Sequence, residues 1–561
     1  MRVPVTLVTL ILVIALSTPA QAAGQNFVEQ FLSRYRPSPV ALPPSPSERS
    51  QQALGDLIRS GALPLTVGDV INLMIQNNLD IGVNRLSPLS TSFLIESFYR
   101  PFEPTLHFQA SLGRDTTPST SQLTGAPSLS VLSQGYTVGF GETLPTGTNV
   151  GVDFTMNRSS SNSAFNTFNP AWRGNVRYSI NQHLLRDRGR INNTRQIRVA
   201  QNNRSISEVQ FERQLIDLVA QGQRLYWDLV FTAEDIKVKQ RSMELAQKTL
   251  SDNQIQVQIG TLAPIDVVQA ESEVATRREQ LIVSTFTQSQ MEDQVKKLIS
   301  PQGDPGMVLA RLSPTESAKL PGATALPIVE QAIRVALENR PEMRQLDMEI
   351  QNKESDVQSM QNQLLPTVDV FANYNQTGVG GRETLRNGFG GTAPIISVHE
   401  GGLGDAFGQL FGYNYTGYAI GFSVQIPLRN RAAQGEHARA TTEKRIVENR
   451  KSAQAQQIAL EVRNALTILE MNRARIEAAQ KARELAERRL DAEQKKFDLG
   501  ASTIRFVLEE QRNVTQSQTN EIASLVNYTK ALVDLDRAMG MILRNNNIEI
   551  EKTLALPATA R

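Results

Sequence analysis

Apolar residues recur at every second position in several stretches of the chain. After Pro366 they fall on Val368, Val370, Ala372 and Tyr374. A period of two places such side chains on one face of a β-strand. The predicted strands are residues 104–113, 136–144, 148–156, 172–180, 366–374 and 418–426. Each has about the nine to eleven residues that a membrane-spanning strand uses.

Elsewhere the apolar spacing is near 3.5, which is typical of coiled-coil helices. Residues 192–263 and 428–556 contain no proline. A helix over residues 435–500 would be about 100 Å long at 1.5 Å per residue. Each long helix reverses at a glycine, Gly260 or Gly500, and a second helical pattern follows. The pattern predicts two antiparallel helical hairpins that are longer than a globular core.

The chain repeats its own pattern. Residues 67–81 align with residues 329–343 at a shift of 262 residues, and the same shift places Pro104 on Pro366. At the two glycines the shift is 240, so the first half holds 22 more residues, in its strand region. An internal duplication follows. The predicted parts are a signal peptide (1–22), a Pro-rich arm (23–64), two repeats (65–326 and 327–545) and a tail (546–561).

The first residues have the pattern of a secretory signal peptide. One Arg precedes an apolar run from Val5 to Leu16, and Ala20-Gln21-Ala22 is a small-residue site with cleavage expected after Ala22. The run is short of the roughly 20 residues that a spanning helix needs. We therefore expect the mature protein to be exported.

Composition excludes several classes of function. The net charge of +2 gives no electrostatic case for a nucleic-acid partner, and the absence of Cys excludes disulfides and a lipidated cysteine. The four His, at 107, 183, 399 and 437, show no metal-ligand spacing. "GVGGRE" (378–383) follows a strand but opens no helix, so a phosphate loop is not indicated. We expect no enzyme activity, metal or cofactor.

Alternating strands without a second long apolar run indicate membrane insertion through strands. An open sheet cannot stand in lipid, and six strands are too few to close around a lumen, so several copies must share one barrel. The Ser- and Asn-rich residues 157–169 and the Gly-dense residues 376–414 are expected to be solvent-facing loops. A soluble β-sandwich is the alternative for the strands alone.

In this combination the chain resembles the TolC family of bacterial outer-membrane efflux proteins. The resemblance covers about residues 65–545 and rests on the duplicated halves, on the turn at 179–203, and on the tip signatures "IGTLAPIDVVQAESE" and "LGASTIRFVLEEQRN". It implies a mainly α fold with membrane β: a long antiparallel α-helical coiled-coil barrel, the periplasmic tunnel, joined to a transmembrane β-barrel that a homotrimer shares. It also implies a passive exit duct that works with a periplasmic adaptor and an inner-membrane transporter.

The resemblance implies roles for particular residues. The adaptor would dock at the two tips, although glycine there also suits any helix C-cap. The expected docking residues are Gly260, Thr261, Leu262, Gly500, Ala501 and Ser502.

Proline stops helical hydrogen bonding where the chain passes between helix and strand. The expected switch residues are Pro104, Pro366 and Pro427.

Two departures from the family pattern concern the mouth and the barrel. Family members often carry aspartates after the second tip, where this chain has Arg505 and Leu508, followed by Glu509 and Glu510. We predict that an Asp266 to Arg505 contact closes the mouth; the alternative is that both are solvated.

The family contributes four strands per protomer, whereas six are counted here. Residues 136–156 either widen the barrel from 12 to 18 strands or form a hairpin outside the membrane. The family pattern favours 12 strands in the barrel of the trimer.

The sequence thus predicts an outer-membrane duct of a Gram-negative-type bacterium, with a long periplasmic part. The alternative is a periplasmic structural or tethering coiled coil without channel activity. The cargo, whether drug, metal ion or polypeptide, is not indicated.

Overall fold

The computed structural model describes residues 62–120, 124–300, 309–318, 326–388 and 393–549, and also residues 29, 32, 33, 35 and 36. The predicted signal peptide, most of the arm and the tail beyond residue 549 lie outside the described residues. The helices are α1 (Val67–Asn77), α2 (Leu79–Ser97), α3 (Arg190–Asn193), α4 (Arg195–Gln258), α5 (Pro264–Ile299), α6 (Val329–Asn339), α7 (Pro341–Asn362), α8 (Leu403–Phe411), α9 (Arg431–Asp498), α10 (Ile504–Ala538) and α11 (Ile542–Asn545). The strands are β1 (Ala62–Leu65), β2 (Thr105–Pro118), β3 (Ser128–Thr143), β4 (Thr148–Ser161), β5 (Phe168–His183), β6 (Arg311–Pro314), β7 (Thr367–Arg386), β8 (Ile395–Glu400) and β9 (Tyr415–Gln425).

The two halves begin their elements at the spacing of the sequence repeat. Helices α6 and α7 and strand β7 each start 262 residues after α1, α2 and β2. After the tips, α10 starts 240 residues after α5. The duplication is therefore present in the structure as well as in the sequence.

Seven strands form one antiparallel sheet in the order β2-β3-β4-β5-β7-β8, and β9 also pairs with β7. Each of the six predicted strands lies on one of these strands, most of which are several residues longer. Strand β7 is long enough to pair with β9 through Thr377 and, farther on, with β8 from Arg382. Residues 136–156, whose place was left open above, belong to β3 and β4 inside this sheet.

The Gly-dense segment 376–414 is not the solvent-facing loop that we expected, since it contains the end of β7, β8 and α8. Ala406 and Leu410 of α8 are fully buried against the sheet. An added Cβ at Gly378 would lie 2.2 Å from the carbonyl oxygen of Ala406, and one at Gly380 equally close to that of Gly402. The glycines therefore form a seat for a helix backbone.

A small parallel sheet of β1 and β6 connects the start of the described chain to the segment after α5. Leu63, Leu65 and Leu312 pack on Tyr226 and Leu229 of α4. The Tyr226 hydroxyl donates to the carbonyl of Leu65 at 3.1 Å. Residues 62–64, which we assigned to the arm, are thus part of this strand and its core.

The long helices lie side by side in the order α5-α4-α10-α9. Helices α4 and α9 have 64 and 68 residues, so each is about 100 Å long. Between α4 and α10 the hairpins are joined by ion pairs, which are Arg224–Asp534, Asp228–Lys530 and Asp217–Arg537. In the part of the chain that the structure describes, no helix has the length and apolarity needed to cross a membrane.

Candidate functional site

The connections between the sheet and the helices that precede or follow it in each repeat lie at one end of the sheet, whereas α8 lies at the other. Pro104 and Pro366 directly precede β2 and β7, and Pro427 follows β9 by two residues. The chain also leaves β5 for α3 and α4 at this end. The sheet and the helical hairpins are therefore joined end to end.

The sheet has one apolar and one polar face. A row of paired residues across it is apolar throughout: Leu106, Phe140, Val152, Tyr178, Tyr374 and Tyr418. The next row, on the opposite face, is His107, Gly139, Asp153, Arg177, Asn375 and Gly417. A cavity on this polar face is lined by Arg177, Asn181, Asp369 and Asn373 among others. Such a sheet separates an apolar medium from a polar one.

Both helical tips close with the same backbone motif. Gly260 and Gly500 have φ of +80° and +73°, the left-handed region that glycine reaches without a steric penalty. The Gly260 N–H donates to Val257, and the Thr261 N–H to Gln256, so two carbonyls at the end of α4 are satisfied. The second tip repeats both bonds. This is the Schellman motif.

The glycines need their conformation and not their small size, since an added Cβ at either would meet nothing within 4 Å. The remaining predicted docking residues, Thr261, Leu262, Ala501 and Ser502, lie in the short loops that follow. The most exposed apolar side chains at the tips are Ile259, 68% exposed, and Leu499, 85% exposed. Neither belongs to the predicted docking set, although each is an apolar residue directly before the tip glycine.

The second tip has a small apolar core. Ile504, Val507 and Leu508 are buried, and Leu490 and Phe497 pack against them. Leu508 occupies a position where the family resemblance implies an aspartate, and it is only 4% exposed. The buried Leu508 therefore supplies no charge to the mouth at this position.

Polar contacts add to the second tip. The Ser502 hydroxyl donates to Glu493, and the Lys496 ammonium lies 3.0 Å from the same carboxylate. These hydrogen bonds hold the pKa of Glu493 below its usual range.

The predicted mouth residues do not form the expected pair within the protomer. Asp266 and Arg505, both described, make no ion pair with each other. Glu509 is exposed, and Glu510 accepts a hydrogen bond from Asn513 at 3.3 Å.

An acid–base tie of the expected kind lies two helical turns farther from the tips. Glu273 of α5 and Arg512 of α10 are 3.4 Å apart, each seven residues beyond the predicted partner. Glu273 also accepts from Arg277 at 2.8 Å. The Arg277 side chain is 4% exposed, and its burial lowers the pKa of the guanidinium while Glu273 counteracts this. Glu273 therefore neutralises a buried charge and connects the two hairpins.

Among the described residues, no group of three or more His, Asp or Glu side chains is placed to hold a metal ion. The polar clusters at the tips are ion pairs and helix caps.

Comparison with known proteins relates this arrangement to a family. Residues 332–541 match the family model described as "Outer membrane efflux protein". No curated protein sequence matches the chain. Among solved structures, the CmeC outer membrane channel of Campylobacter jejuni is similar with a TM-score of 0.59 at 14% identity, over 90% of this chain and 92% of that chain.

Two further outer-membrane proteins have the same fold. For the open state of the Neisseria gonorrhoeae MtrE outer membrane channel, the TM-score is 0.57 at 14% identity, over 90% of this chain and 94% of that chain. For the outer membrane protein VceC of Vibrio cholerae, the TM-score is 0.56 at 14% identity, over 84% of this chain and 96% of that chain. Residues 332–541 thus match the model of the outer membrane efflux protein family, and most of the chain shares the fold of these solved proteins.

Proposed function

We propose that the protein is the outer-membrane exit duct of a tripartite efflux pump or a type I secretion system. The observation that carries this proposal is the end-to-end junction of a two-faced sheet with helical hairpins about 100 Å long. The apolar face meets lipid, apart from the area beside Phe154, Gly378 and Gly380 that α8 covers. The polar face lines a water-filled lumen. The helices continue that lumen through the periplasm.

We further propose a homotrimer, because the protomer leaves matching edges in both layers. Strands β2 and β9 each have a free edge among the described strands, and α5 and α9 are the outer long helices. Both outer helices expose large apolar side chains, such as Phe286 of α5 and Met471 of α9. In the sheet and in the row of long helices alike, one outer element comes from the first repeat and the other from the second repeat. One head-to-tail contact between copies therefore closes both layers into rings.

The tips are the proposed docking surface for the periplasmic adaptor. They project about 100 Å from the sheet, and Ile259 and Leu499 present apolar side chains there. The adaptor connects the duct to an inner-membrane transporter, which supplies the energy. The proposed docking set is Ile259, Gly260, Thr261, Leu262, Leu499, Gly500, Ala501 and Ser502.

The mouth between the tips is the proposed gate. Within a protomer the Glu273–Arg512 tie restrains α5 against α10. Asp266 and Arg505 have no ion pair with each other inside the protomer, so their proposed contact is between neighbouring protomers. Glu509 and Glu510 add negative charge to the same ring.

Planar-bilayer recording of the purified protein tests the duct. We expect discrete conductance steps from a species that migrates as a trimer and fractionates with the outer membrane. A soluble monomer that gives no steps would support the periplasmic tether in its place.

A further inference from the structure

The hairpin of β3 and β4 is part of the wall of the sheet. Strand β3 pairs with β2 over its length from Thr105↔Gly141 onward, and β4 pairs with β5 from Thr148↔Gln182 to Ser159↔Ala171. The hairpin therefore lies between the two strands that would otherwise be neighbours. No described strand pair bypasses it.

The hairpin also continues both faces of the sheet. Phe140 and Val152 fall in the apolar row that begins at Leu106. Asp153 falls in the polar row with Arg177. A hairpin that lay outside the membrane would have no reason to match the lipid face and the lumen face of its neighbours.

The strands are staggered as barrel closure requires. The row of paired residues that starts at Thr105, the first residue of β2, crosses the sheet to Ala419 of β9. Ala419 lies six residues above Gln425, where β9 ends. A steady stagger between neighbouring strands is the shear that tilts strands and lets a sheet close.

From this wall we propose that three copies close an 18-stranded barrel, with β2 of one protomer beside β9 of the next. The inference rests on the trimer of the proposed function and sets its strand number. One further step of the same stagger brings the total rise of the row to about six to eight residues at β2 of the next copy. The offset must be even, because a slip of one residue would turn the apolar side chains into the lumen.

This fixes a short list of contacts between copies. An offset of six places Ser111 opposite Ala419 of the partner subunit, and an offset of eight places it opposite Gly421 of the partner subunit. All three positions belong to the polar face. A barrel of 18 strands is in the range that leaves an open aqueous channel. Its diameter is about 1.5 times that of a 12-stranded barrel, so the proposed cargo includes solutes too wide for the narrower one.

Cysteine substitution tests the strand number on a clean background, since the chain has no Cys. Thr155→Cys places a thiol on the polar face of β4, and Val152→Cys places one on the apolar face of the same strand. We expect a bulky, charged methanethiosulfonate reagent to lower the conductance of Thr155→Cys trimers in up to three steps. The conductance of Val152→Cys trimers should not change.

A second pair of variants reports the contact between copies. Ser111→Cys with Ala419→Cys, or with Gly421→Cys, should form disulfide-linked trimers in intact membranes. Ser111→Cys with Ile420→Cys should not, because Ile420 is on the other face. If the trimers cross-link but the reagent leaves the conductance of Thr155→Cys trimers unchanged, the 18-stranded barrel is overturned. The proposed duct would still stand. Absence of both cross-links and trimers would instead overturn the proposed function.

Discussion

The tips of the two halves share a backbone and differ in packing. Both end in a Schellman motif at glycine, and their sequences align without a gap at a shift of 240 residues. At matching positions, however, Leu508 is 4% exposed and Val268 is 56% exposed. The second tip has a core of its own, whereas the first presents its apolar residues outward.

The duplicated halves have thus kept the same backbone turn at the tip but not the same side-chain packing. The backbone reversal depends on one glycine in each half, so it survives sequence divergence. The packing beneath it depends on several side chains that must change together. We infer that the second tip is the more rigid of the two and that the first relies on contacts with other chains.

The largest expected effect concerns the tie between the hairpins. Glu273→Ala leaves the Arg277 guanidinium buried without its carboxylate, and removing one partner of a buried pair costs about 3–5 kcal/mol. We expect faster hydrogen exchange of the amides in α5 around this position. Asp266→Ala, at a partly exposed position without the tie, should change exchange little. Equal acceleration in both variants would show that the tie does not stabilise the hairpins.

The next effect sharpens the contrast between the tips. Leu508→Ala removes a buried side chain from the second tip, and we expect a loss of about 2–3 kcal/mol in the free energy of local unfolding. Val268→Ala, the matched change in the first tip, should cost about 0.5 kcal/mol or less. The rates of protease cleavage near Gly260 and Gly500 measure the two losses of local stability. A loss of similar size in both tips would remove the proposed difference in rigidity.

Adaptor binding compares the tips as docking surfaces. We expect Leu499→Asp and Ile259→Asp each to weaken binding about tenfold, or about 1.4 kcal/mol, with trimers still in the membrane. Arg488→Asp, at an exposed position three turns from the second tip, is the control. These neighbours are cleaner probes than Gly500, because a side chain at positive φ costs about 1–2 kcal/mol by itself. If neither variant changes affinity, the adaptor docks elsewhere.

The smallest effect is at the other end of the second hairpin. Burial raises the pKa of Asp536, so its ionised form lowers stability, by an amount that is absent below the unfolded pKa and grows as pH rises through the folded pKa. In the first half the matching residue is Lys296, which lies near Glu292. Asp536→Asn should raise the unfolding free energy by up to about 1 kcal/mol at pH 7 and by nothing at about pH 3. Thermal unfolding at both pH values measures this, and stabilisation at the acidic pH would contradict it.

Strong local signals made much of the fold predictable. The proline before each first strand predicted the starts of β2 and β7 to within one residue, since 104 and 366 were expected and Thr105 and Thr367 are observed. The glycines predicted both tips. In each case one residue type has a backbone requirement that no neighbour overrides.

Contacts between distant segments were less predictable. Strands β1 and β6 have four residues each and pair across almost 250 residues, which leaves no periodic signal. Helix α8 was hidden because glycines that seat a helix look the same in sequence as glycines of a loop. For contacts between the hairpins, the sequence indicated an acid in α5 and a base in α10. Which turn brings them together depends on how the two helices are shifted along each other.

The β3–β4 hairpin has a consequence for how such ducts diversify. Two added strands return the chain to the end of the sheet from which it left and preserve the alternation of inside and outside. A single added strand would deliver the next helix to the wrong side of the membrane. In the proposed trimer, the diameter of the pore can therefore grow only by pairs of strands per subunit, six per trimer, without any redesign of the helical part.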